Sequence, residues 1–178
     1  MADSSAAATQ ARLIRRATPR DAAVLAEVGR DAFCAAFAHL YPPEDLASFL
    51  AESYTSESFA AALADPAQAL WIAEEAGNPV AYAHAGACTL PHPEVTPACG
   101  ELKRLYVLPQ GQNAGVGGDL MRIALDWLAR PGRMLWIGVW SKNLGAQRLY
   151  ARHGFRKVGE YKFAVGNTRD DEFILRRG

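Results

Sequence analysis

The pattern of apolar and polar positions divides the chain into short strands and helices that follow one another. Short apolar runs bounded by turn residues, such as ALWIAEE and NPVAYAHAGACTL, are typical of strands. Apolar residues spaced three and four apart, as in TPRDAAVLAEVGRDAFCAAF, are typical of helices. Because strands and helices alternate along the chain, we predict an α/β fold with a mixed sheet.

The same pattern gives the expected bounds of each element. Strands are predicted at residues 12–17, 69–75, 78–90, 101–108, 133–140, 155–165 and 171–177. Helices are predicted at residues 18–37, 43–53, 56–65, 118–129 and 143–153. Thr18, Pro19 and Asp21 form a variant of the capping box, which marks the start of the first helix. Alanines at every second position from Ala81 to Ala87 predict a smooth strand face on which a helix can pack closely.

Length and composition bound the domain organisation. Half of the 178 residues are apolar, so we predict a single domain at residues 11–178, preceded by a disordered N-terminus at residues 1–10. No run approaches the roughly 18 apolar residues of a membrane span, and the N-terminus has no apolar core of signal-peptide length. We therefore expect a cytoplasmic protein without a membrane or nucleic-acid partner, and we leave open whether it forms a homodimer.

The cysteines indicate neither a cross-link nor a metal site. Cys34, Cys88 and Cys99 are odd in number and share no CxxC spacing. We therefore expect free thiols and no metal cofactor.

The formal charges cancel, but they are unevenly distributed. Residues 41–100 contain eight Asp and Glu and no Lys or Arg, whereas residues 101–178 contain 14 Lys and Arg against seven Asp and Glu. Such a chain can present an anionic and a cationic surface to two ligands of opposite charge. The same charges can also interleave on solvated helix faces, and the sequence leaves both interpretations open.

A glycine-rich stretch, LPQGQNAGVGGDLM, follows one predicted strand and leads into a predicted helix. In the Walker pattern GxxxxGK[ST], Val116 takes the place of the second glycine and no lysine follows. In the dinucleotide pattern GxGxxG, begun at Gly115, Leu120 takes the place of the third glycine. What remains is a loop of side-chain-poor amides before a helix N-terminus, an arrangement that favours a phosphate. The same pattern is also typical of a simple tight turn before a helix, with no phosphate bound.

Two motifs in the right order and spacing resemble those of the GCN5-related N-acetyltransferases, the GNAT superfamily. Residues 112–117, QNAGVG, resemble the acetyl-CoA loop [RQ]xxGx[GA] of that family. SKNLGAQRLYARHGF resembles its second motif, NxxAxxxYxxxGF, matched at Asn143, Ala146, Tyr150, Gly154 and Phe155. The resemblance covers nearly the whole chain. AFCAAF, LWIGVWSKNLGAQRLY and FAVGNTRDDEFIL are similar to the bacterial spermidine/spermine N-acetyltransferase branch.

The resemblance implies a fold and a co-substrate. The GNAT fold has a mixed, mostly antiparallel sheet of six to seven strands, splayed at the acetyl-CoA cleft and flanked by about four to five helices. The pantetheine arm of acetyl-CoA would pair like an added strand with the backbone of Leu105 and Val107. Asn143 would hydrogen-bond the same arm, although it also suits the N-cap of the next helix. Backbone amides would bind the pyrophosphate, from Gln112, Asn113, Ala114, Gly115, Val116, Gly117 and Gly118.

The implied chemistry needs a base and an acid. An alkylamine has a pKa of about 10.4 and is protonated at neutral pH, so a base or a water chain leading to one is expected. The resemblance favours Glu101 as this base and Tyr150 as the acid that protonates the departing thiolate. From its spacing alone, Tyr150 would be a core aromatic residue. His84 is the second candidate base, although a lone His among apolar residues is more typical of a core. A backbone N–H near Val107 would meet the developing oxyanion.

The implied reaction is direct attack of a primary amine of a small substrate on acetyl-CoA in a ternary complex. The acidic segment is residues 41–100. In this family, the helices that correspond to those of the acidic segment line the side of the cleft where the amine acceptor binds. We therefore hypothesise that Glu44, Asp45, Glu52 and Glu57 select a cationic amine, such as a polyamine. Two alternatives stay open, an enzyme that acetylates a protein or peptide and a non-catalytic acyl-CoA-binding module. The presence of both Glu101 and Tyr150 argues against the second.

Overall fold

A single seven-stranded sheet runs through the computed structural model, which describes residues 12–178. The strands are β1 (Arg12–Arg16), β2 (Ala69–Glu75), β3 (Asn78–Ala87), β4 (Gly100–Val107), β5 (Leu135–Trp140), β6 (Arg156–Val165) and β7 (Thr168–Arg177). They lie in the order β1-β2-β3-β4-β5-β7-β6. In the described sheet, β4 and β5 are parallel and every other pair of neighbours is antiparallel. The predicted α/β fold with a mixed, mostly antiparallel sheet is confirmed.

The helices of the described residues are α1 (Ala22–Phe37), α2 (Pro43–Ser53), α3 (Ser56–Ala64), α4 (Val116–Leu128) and α5 (Leu144–Arg152). The predicted start of the first helix forms a 3-10 turn, Pro19–Asp21, which leads into α1. The backbone N–H of Thr18 donates to the Asp21 carboxylate at 2.7 Å, as the capping pattern predicts. The predicted strand 78–90 ends three residues early, at Ala87.

The two faces of the sheet bury separate cores. On one face, α4 packs against the small residues Ala81, Ala83 and Ala85, each with no exposed surface. The predicted smooth strand face is therefore confirmed. On the other face, α1 and α3 cover an aromatic core that includes Tyr82 and Phe59. Since residues of opposite parity on β3 face opposite cores, the strand is buried on both sides.

Strands β4 and β5 separate soon after they begin. They pair only through Gly100 with Leu135 and Glu101 with Trp136. Beyond Glu101, β4 stays paired with β3 as far as Val107, and β5 stays paired with β7. Among the described strands, this part of β4 therefore has no partner on the side of β5, and the splay that the resemblance implies is present.

The remaining expectations concern the N-terminus, membrane-spanning helices and metal ligands. The predicted disorder of residues 1–10 lies outside the described residues. Within residues 12–178, no helix has the length and apolar character to cross a membrane. The same residues bring no group of three or more His, Cys, Asp or Glu side chains together as metal ligands.

Candidate active site

The gap between β4 and β5 opens into a cleft of about 1020 Å³. One side is formed by the free edge of β4, the glycine loop and the start of α5. The other side is formed by the end of α1, by α2 and by residues of β6 and β7. A cleft of this volume can hold a ligand of cofactor size together with a smaller molecule.

The glycine loop leads into α4 with open space around it. Gly115 is the N-cap of α4 and has a φ of 82°, a left-handed conformation that glycine adopts at little cost. An added Cβ on Gly115 or Gly118 would meet no other part of the described chain within 4 Å. The first N–H groups of a helix have no acceptor within the helix, so those of Val116, Gly117 and Gly118 are available to an anion in this space.

The first part of the loop is tied to the chain. The backbone N–H of Gln112 donates to the Pro109 carbonyl at 3.2 Å, and its side chain donates to the Val107 carbonyl at 3.3 Å. Of the amides predicted to bind a pyrophosphate, that of Gln112 is therefore already used within the chain. Asn113 has a φ of 62° and is exposed, as is Ala114.

Leu105 and Val107 lie where the sequence predicted, on the strand that borders the cleft. On one side they pair with Ala83 and Ala81 of β3. Toward β5, the backbone of this part of β4 faces the cleft without a strand partner. Such an edge can pair with an extended chain through main-chain hydrogen bonds.

Helix α5 brings the second motif to the same cleft. Asn143 is its N-cap, and the Asn143 Oδ1 accepts a hydrogen bond from the Ala146 backbone N–H at 3.0 Å. Tyr150 is 7% exposed, packs near Phe155 and also lines the cleft. Tyr150 is therefore buried like a core residue and also borders the cleft. Burial, and then the neighbouring Tyr106 and Glu172, raise the pKa of Tyr150 above its ordinary value, so its hydroxyl keeps a proton to donate.

Glu101 lines the cleft at the last pair between β4 and β5. Its Oε2 accepts from the Thr89 backbone N–H at 2.8 Å and from the Thr89 hydroxyl at 3.2 Å. The same oxygen accepts from Lys103 Nζ at 3.1 Å. Charge-assisted hydrogen bonds of this kind hold a carboxylate firmly in place.

The sequence analysis missed two carboxylates on the far wall of the cleft. Glu172 and Asp170 lie two residues apart on β7 and both line the cleft. Glu172 Oε2 accepts from the Tyr161 hydroxyl at 2.6 Å, and Asp170 accepts from the Tyr41 hydroxyl. Burial, opposed by the Tyr161 hydrogen bond, raises the pKa of Glu172, and the charges of Asp170 and Glu101 act in the same direction as burial. The signal was the spacing of the two acids, since residues two apart on a strand share a face.

Aromatic rings complete the far wall. Phe37 of α1 meets Trp140 of β5 edge to face at 5.7 Å, and Phe49 of α2 meets Phe163 of β6 at 5.8 Å. All four line the cleft. Aromatic faces beside carboxylates attract an organic cation.

The acidic segment contributes less to the cleft than the sequence analysis expected. Of the four acidic residues proposed to select the amine, only Glu52 lines it. Asp45 is buried, and its carboxylate accepts hydrogen bonds from the turn between β6 and β7. Glu44 and Glu57 are exposed outside the cleft. The proposed selection by Glu44, Asp45 and Glu57 is therefore not supported by their positions.

His84, the second candidate base, is held in a buried position. Its Nε2 lies 2.6 Å from Gln68 Oε1. Burial, followed by the charges of Arg104 and Lys103, lowers the pKa of His84 to about 3. A group with this pKa is neutral at physiological pH and too weakly basic to deprotonate an alkylammonium.

Comparison with known proteins identifies the family of the chain. Residues 31–155 match the family model described as the acetyltransferase (GNAT) family. The chain belongs to the GNAT family. It is 34% identical over 158 residues to the uncharacterized N-acetyltransferase Rv2669 of Mycobacterium tuberculosis, a match that covers 88% of this chain and 97% of the relative. The GNAT chain described here is accordingly an N-acetyltransferase.

Solved structures of GNAT proteins share the fold. The PaiA N-acetyltransferase of Thermoplasma acidophilum, solved with coenzyme A, has a TM-score of 0.73 at 19% identity, covering 94% of this chain and 98% of that one. YncA of Salmonella typhimurium, solved with acetyl-CoA, has a TM-score of 0.71 at 20% identity, covering 94% and 93%. At these identities the likeness concerns the fold alone.

Proposed function

We propose that this GNAT enzyme transfers the acetyl group of acetyl-CoA to a primary amine of a small cationic substrate, by direct attack in a ternary complex. The observation that carries the proposal is the gap between β4 and β5. It joins the free edge of β4 and the open glycine loop to a wall of carboxylates and aromatic rings in one cleft. A donor and an acceptor can therefore meet without a covalent enzyme intermediate.

Acetyl-CoA is the acyl donor, and two features of the cleft support positions for its pantetheine arm and its pyrophosphate. The pantetheine arm pairs with the free edge of β4 at Leu105 and Val107. The pyrophosphate lies at the start of α4, where the open space beside Gly115 and Gly118 leaves room for it. Asn143 uses its oxygen to cap α5, which leaves its NH₂ group for the same arm.

The chemistry assigns Tyr150 as the acid. Tyr150 lines the cleft and holds its proton, so its hydroxyl can protonate the sulfur as the carbon–sulfur bond breaks. A backbone N–H near Val107 stabilises the carbonyl oxygen as its negative charge develops. Glu101 is the first candidate base from the sequence, and three hydrogen bonds already hold one of its oxygens in place.

The acceptor is a cationic amine, and we propose a polyamine as the first class to test. Glu52, Asp170 and Glu172 line its side of the cleft and complement a positive charge. Aromatic rings on the same wall support the apolar carbons between the amino groups of such a substrate.

Release of free thiol from acetyl-CoA tests this proposal. The amine panel contains spermidine, spermine, amino acids, aminoglycosides and a short peptide. We expect release with cationic amines and a fall in kcat of about 100-fold or more in Tyr150→Phe, the range that general acids supply. Tyr82→Phe is the matched control, because the buried hydroxyl of Tyr82 has no hydrogen-bond partner among residues 12–178 and Tyr82 lies outside the cleft.

Two outcomes would contradict the proposal. Tight binding of acetyl-CoA without release by any amine would indicate a non-catalytic binding module. Release with the peptide alone would indicate a protein or peptide N-acetyltransferase.

A further inference from the structure

We propose that Glu172, and not Glu101, is the carboxylate that binds the substrate ammonium and takes its proton. This inference rests on the proposed function and deepens it by naming the proton acceptor. Glu172 lies on the far wall of the cleft, outside the two motifs matched at residues 112–117 and 143–155.

The position of Glu172 places its carboxylate beside the gap. Glu172 pairs with Trp140 at the end of β5, four residues beyond the last residue of β5 that pairs with β4, Trp136. Its Oε2 lies 3.2 Å from where a Cβ on Gly138 would be. The side chain therefore lies across β5 at the one residue between Trp136 and Trp140 that has no side chain.

The carboxylates of Glu101 and Glu172 differ in the hydrogen-bond donors that already contact them. Lys103 and both donors of Thr89 converge on one oxygen of Glu101, so the acceptor positions of that oxygen are already occupied. Glu172 accepts a hydrogen bond from a neutral phenol, that of Tyr161, at 2.6 Å. Among residues 12–178, the salt bridges include none between Glu172 and a Lys or Arg. Glu172 is therefore free to pair with an ammonium that enters the cleft.

The surroundings of Glu172 suit a base. Burial raises its pKa, which brings the basicity of the carboxylate closer to that of an amine. Glu172 and Tyr150 both line the cleft, and the charge of Glu172 contributes to the raised pKa of Tyr150. A carboxylate and a phenol in such surroundings form a base and an acid on two sides of one reaction centre.

The proton balance of the reaction is complete with these two groups. One N–H proton of the ammonium passes to the Glu172 carboxylate, and the freed lone pair forms the carbon–nitrogen bond. The carbon–sulfur bond breaks, and the sulfur takes its electrons and the proton of Tyr150. The nitrogen, which still carries two protons after the new bond forms, gives one of them to the Tyr150 phenolate and keeps the other as the amide N–H. Glu172 then releases its proton to solvent, so one proton is released overall.

The test is the pH dependence of kcat/KM for the full-length enzyme, from about pH 6.5 to about pH 9.5. In Glu172→Gln only substrate that is already deprotonated reacts, so kcat/KM falls by about 100-fold near neutral pH. It then rises roughly tenfold per pH unit toward the pKa of the amine. Glu101→Gln should keep the shape of the wild-type pH profile, whatever its effect on the level of kcat/KM. Gln at position 172 still accepts the Tyr161 hydrogen bond, and unchanged acetyl-CoA binding in calorimetry confirms that the variant is folded.

Asp171→Asn is the matched control. Asp171 is the next residue on β7, its side chain is 68% exposed, and it pairs with Lys162 outside the cleft. We expect wild-type kinetics at every pH. An amine of lower pKa gives a second test, because it should lose less activity in Glu172→Gln than an alkylamine does.

Three results would overturn the inference. A steep pH profile in Glu101→Gln with a wild-type profile in Glu172→Gln would assign the base to Glu101 and leave the proposed function intact. An equal loss at every pH in Glu172→Gln would make Glu172 a positioning residue. Absence of thiol release by the wild-type enzyme with any amine would refute the proposed function and this inference together.

Discussion

Gly138 shows how a missing side chain shapes the cleft. A Cβ at this position would lie 3.1 Å from the Tyr161 hydroxyl and 3.2 Å from Glu172 Oε2. Both groups would have to move by a few tenths of an ångström, since such contacts are tighter than ordinary packing. Gly138 therefore makes room for the hydrogen-bonded pair on the far wall.

Gly138→Ala should lower kcat/KM by roughly tenfold to hundredfold, because small misplacements of reacting groups have effects of this size. Acetyl-CoA affinity should stay close to wild type, since the donor side of the cleft is unchanged. A double-mutant cycle with Glu172→Gln checks the cause. If the two substitutions act through the same carboxylate, their effects should be clearly less than additive. Full additivity would show that Gly138 acts elsewhere.

Residues of the second motif were predictable and those of β7 were not. Asn143 and Tyr150 lie on one helix, where a fixed residue spacing corresponds to a fixed geometry. Glu172 reaches the cleft because β7 lies between β5 and β6, and pairs with Trp140 across 32 positions of the chain. A periodic pattern identifies strands but does not say which strands are neighbours. The spacing of Asp170 and Glu172 indicates that they share a face of β7, but the sheet order is needed to show that this face lines the cleft.

The loop between β4 and α4 combines a fold that the sequence predicts with internal hydrogen bonds that it does not predict. Its fold was predictable, because glycines after a strand and before an apolar helix period indicate a turn into a helix N-terminus. Its internal hydrogen bonds were not, since those of Gln112 depend on the end of β4 and a 3-10 turn. The result is a fixed first half and an open second half beside Gly115 and Gly118.

Gly115→Ala should weaken acetyl-CoA binding about tenfold, because a new side chain enters the space assigned to the pyrophosphate. It should also lower the free energy of unfolding by about 1 kcal/mol, since Gly115 has a φ of 82°. Gly77→Ala is the matched control. Gly77 has a φ of 79° in the turn between β2 and β3, also with open space around it. Calorimetric titration should show wild-type affinity in Gly77→Ala. Equal affinities in the two variants would contradict the assigned role of the loop.

At the scale of the whole molecule, the cleft exists because the sheet divides. Strands β1–β4 and β5–β7 are joined only at the start of β4 and β5. Helix α2 spans the division on the acceptor side, where Phe49 packs on Phe163 and Asp45 bonds the turn between β6 and β7. The acidic segment therefore stabilises the wall of the cleft as well as supplying charge to it.

Asp45→Asn should lower thermal stability near neutral pH and loosen this wall. Asp45 Oδ1 accepts from the Asn167 N–H at 2.8 Å, and Oδ2 accepts from the Thr168 hydroxyl at 2.7 Å. An amide nitrogen in place of one oxygen sets a donor against these donors. The Asn167 N–H, and then Thr168, lower the pKa of Asp45, so its stabilisation is present above the unfolded pKa of about 3.9.

That stabilisation is lost as the pH falls through the lower folded pKa. The difference in Tm between wild type and Asp45→Asn, measured by circular dichroism, should therefore be largest near neutral pH and shrink as the pH falls below the unfolded pKa of about 3.9. Glu44→Gln, at the exposed neighbouring position, should match wild type throughout. A Tm difference that stays constant from neutral to acidic pH would show that the Asp45 charge does not hold α2 to the turn. The two halves of the sheet would then have to be joined on this side by the aromatic contacts alone.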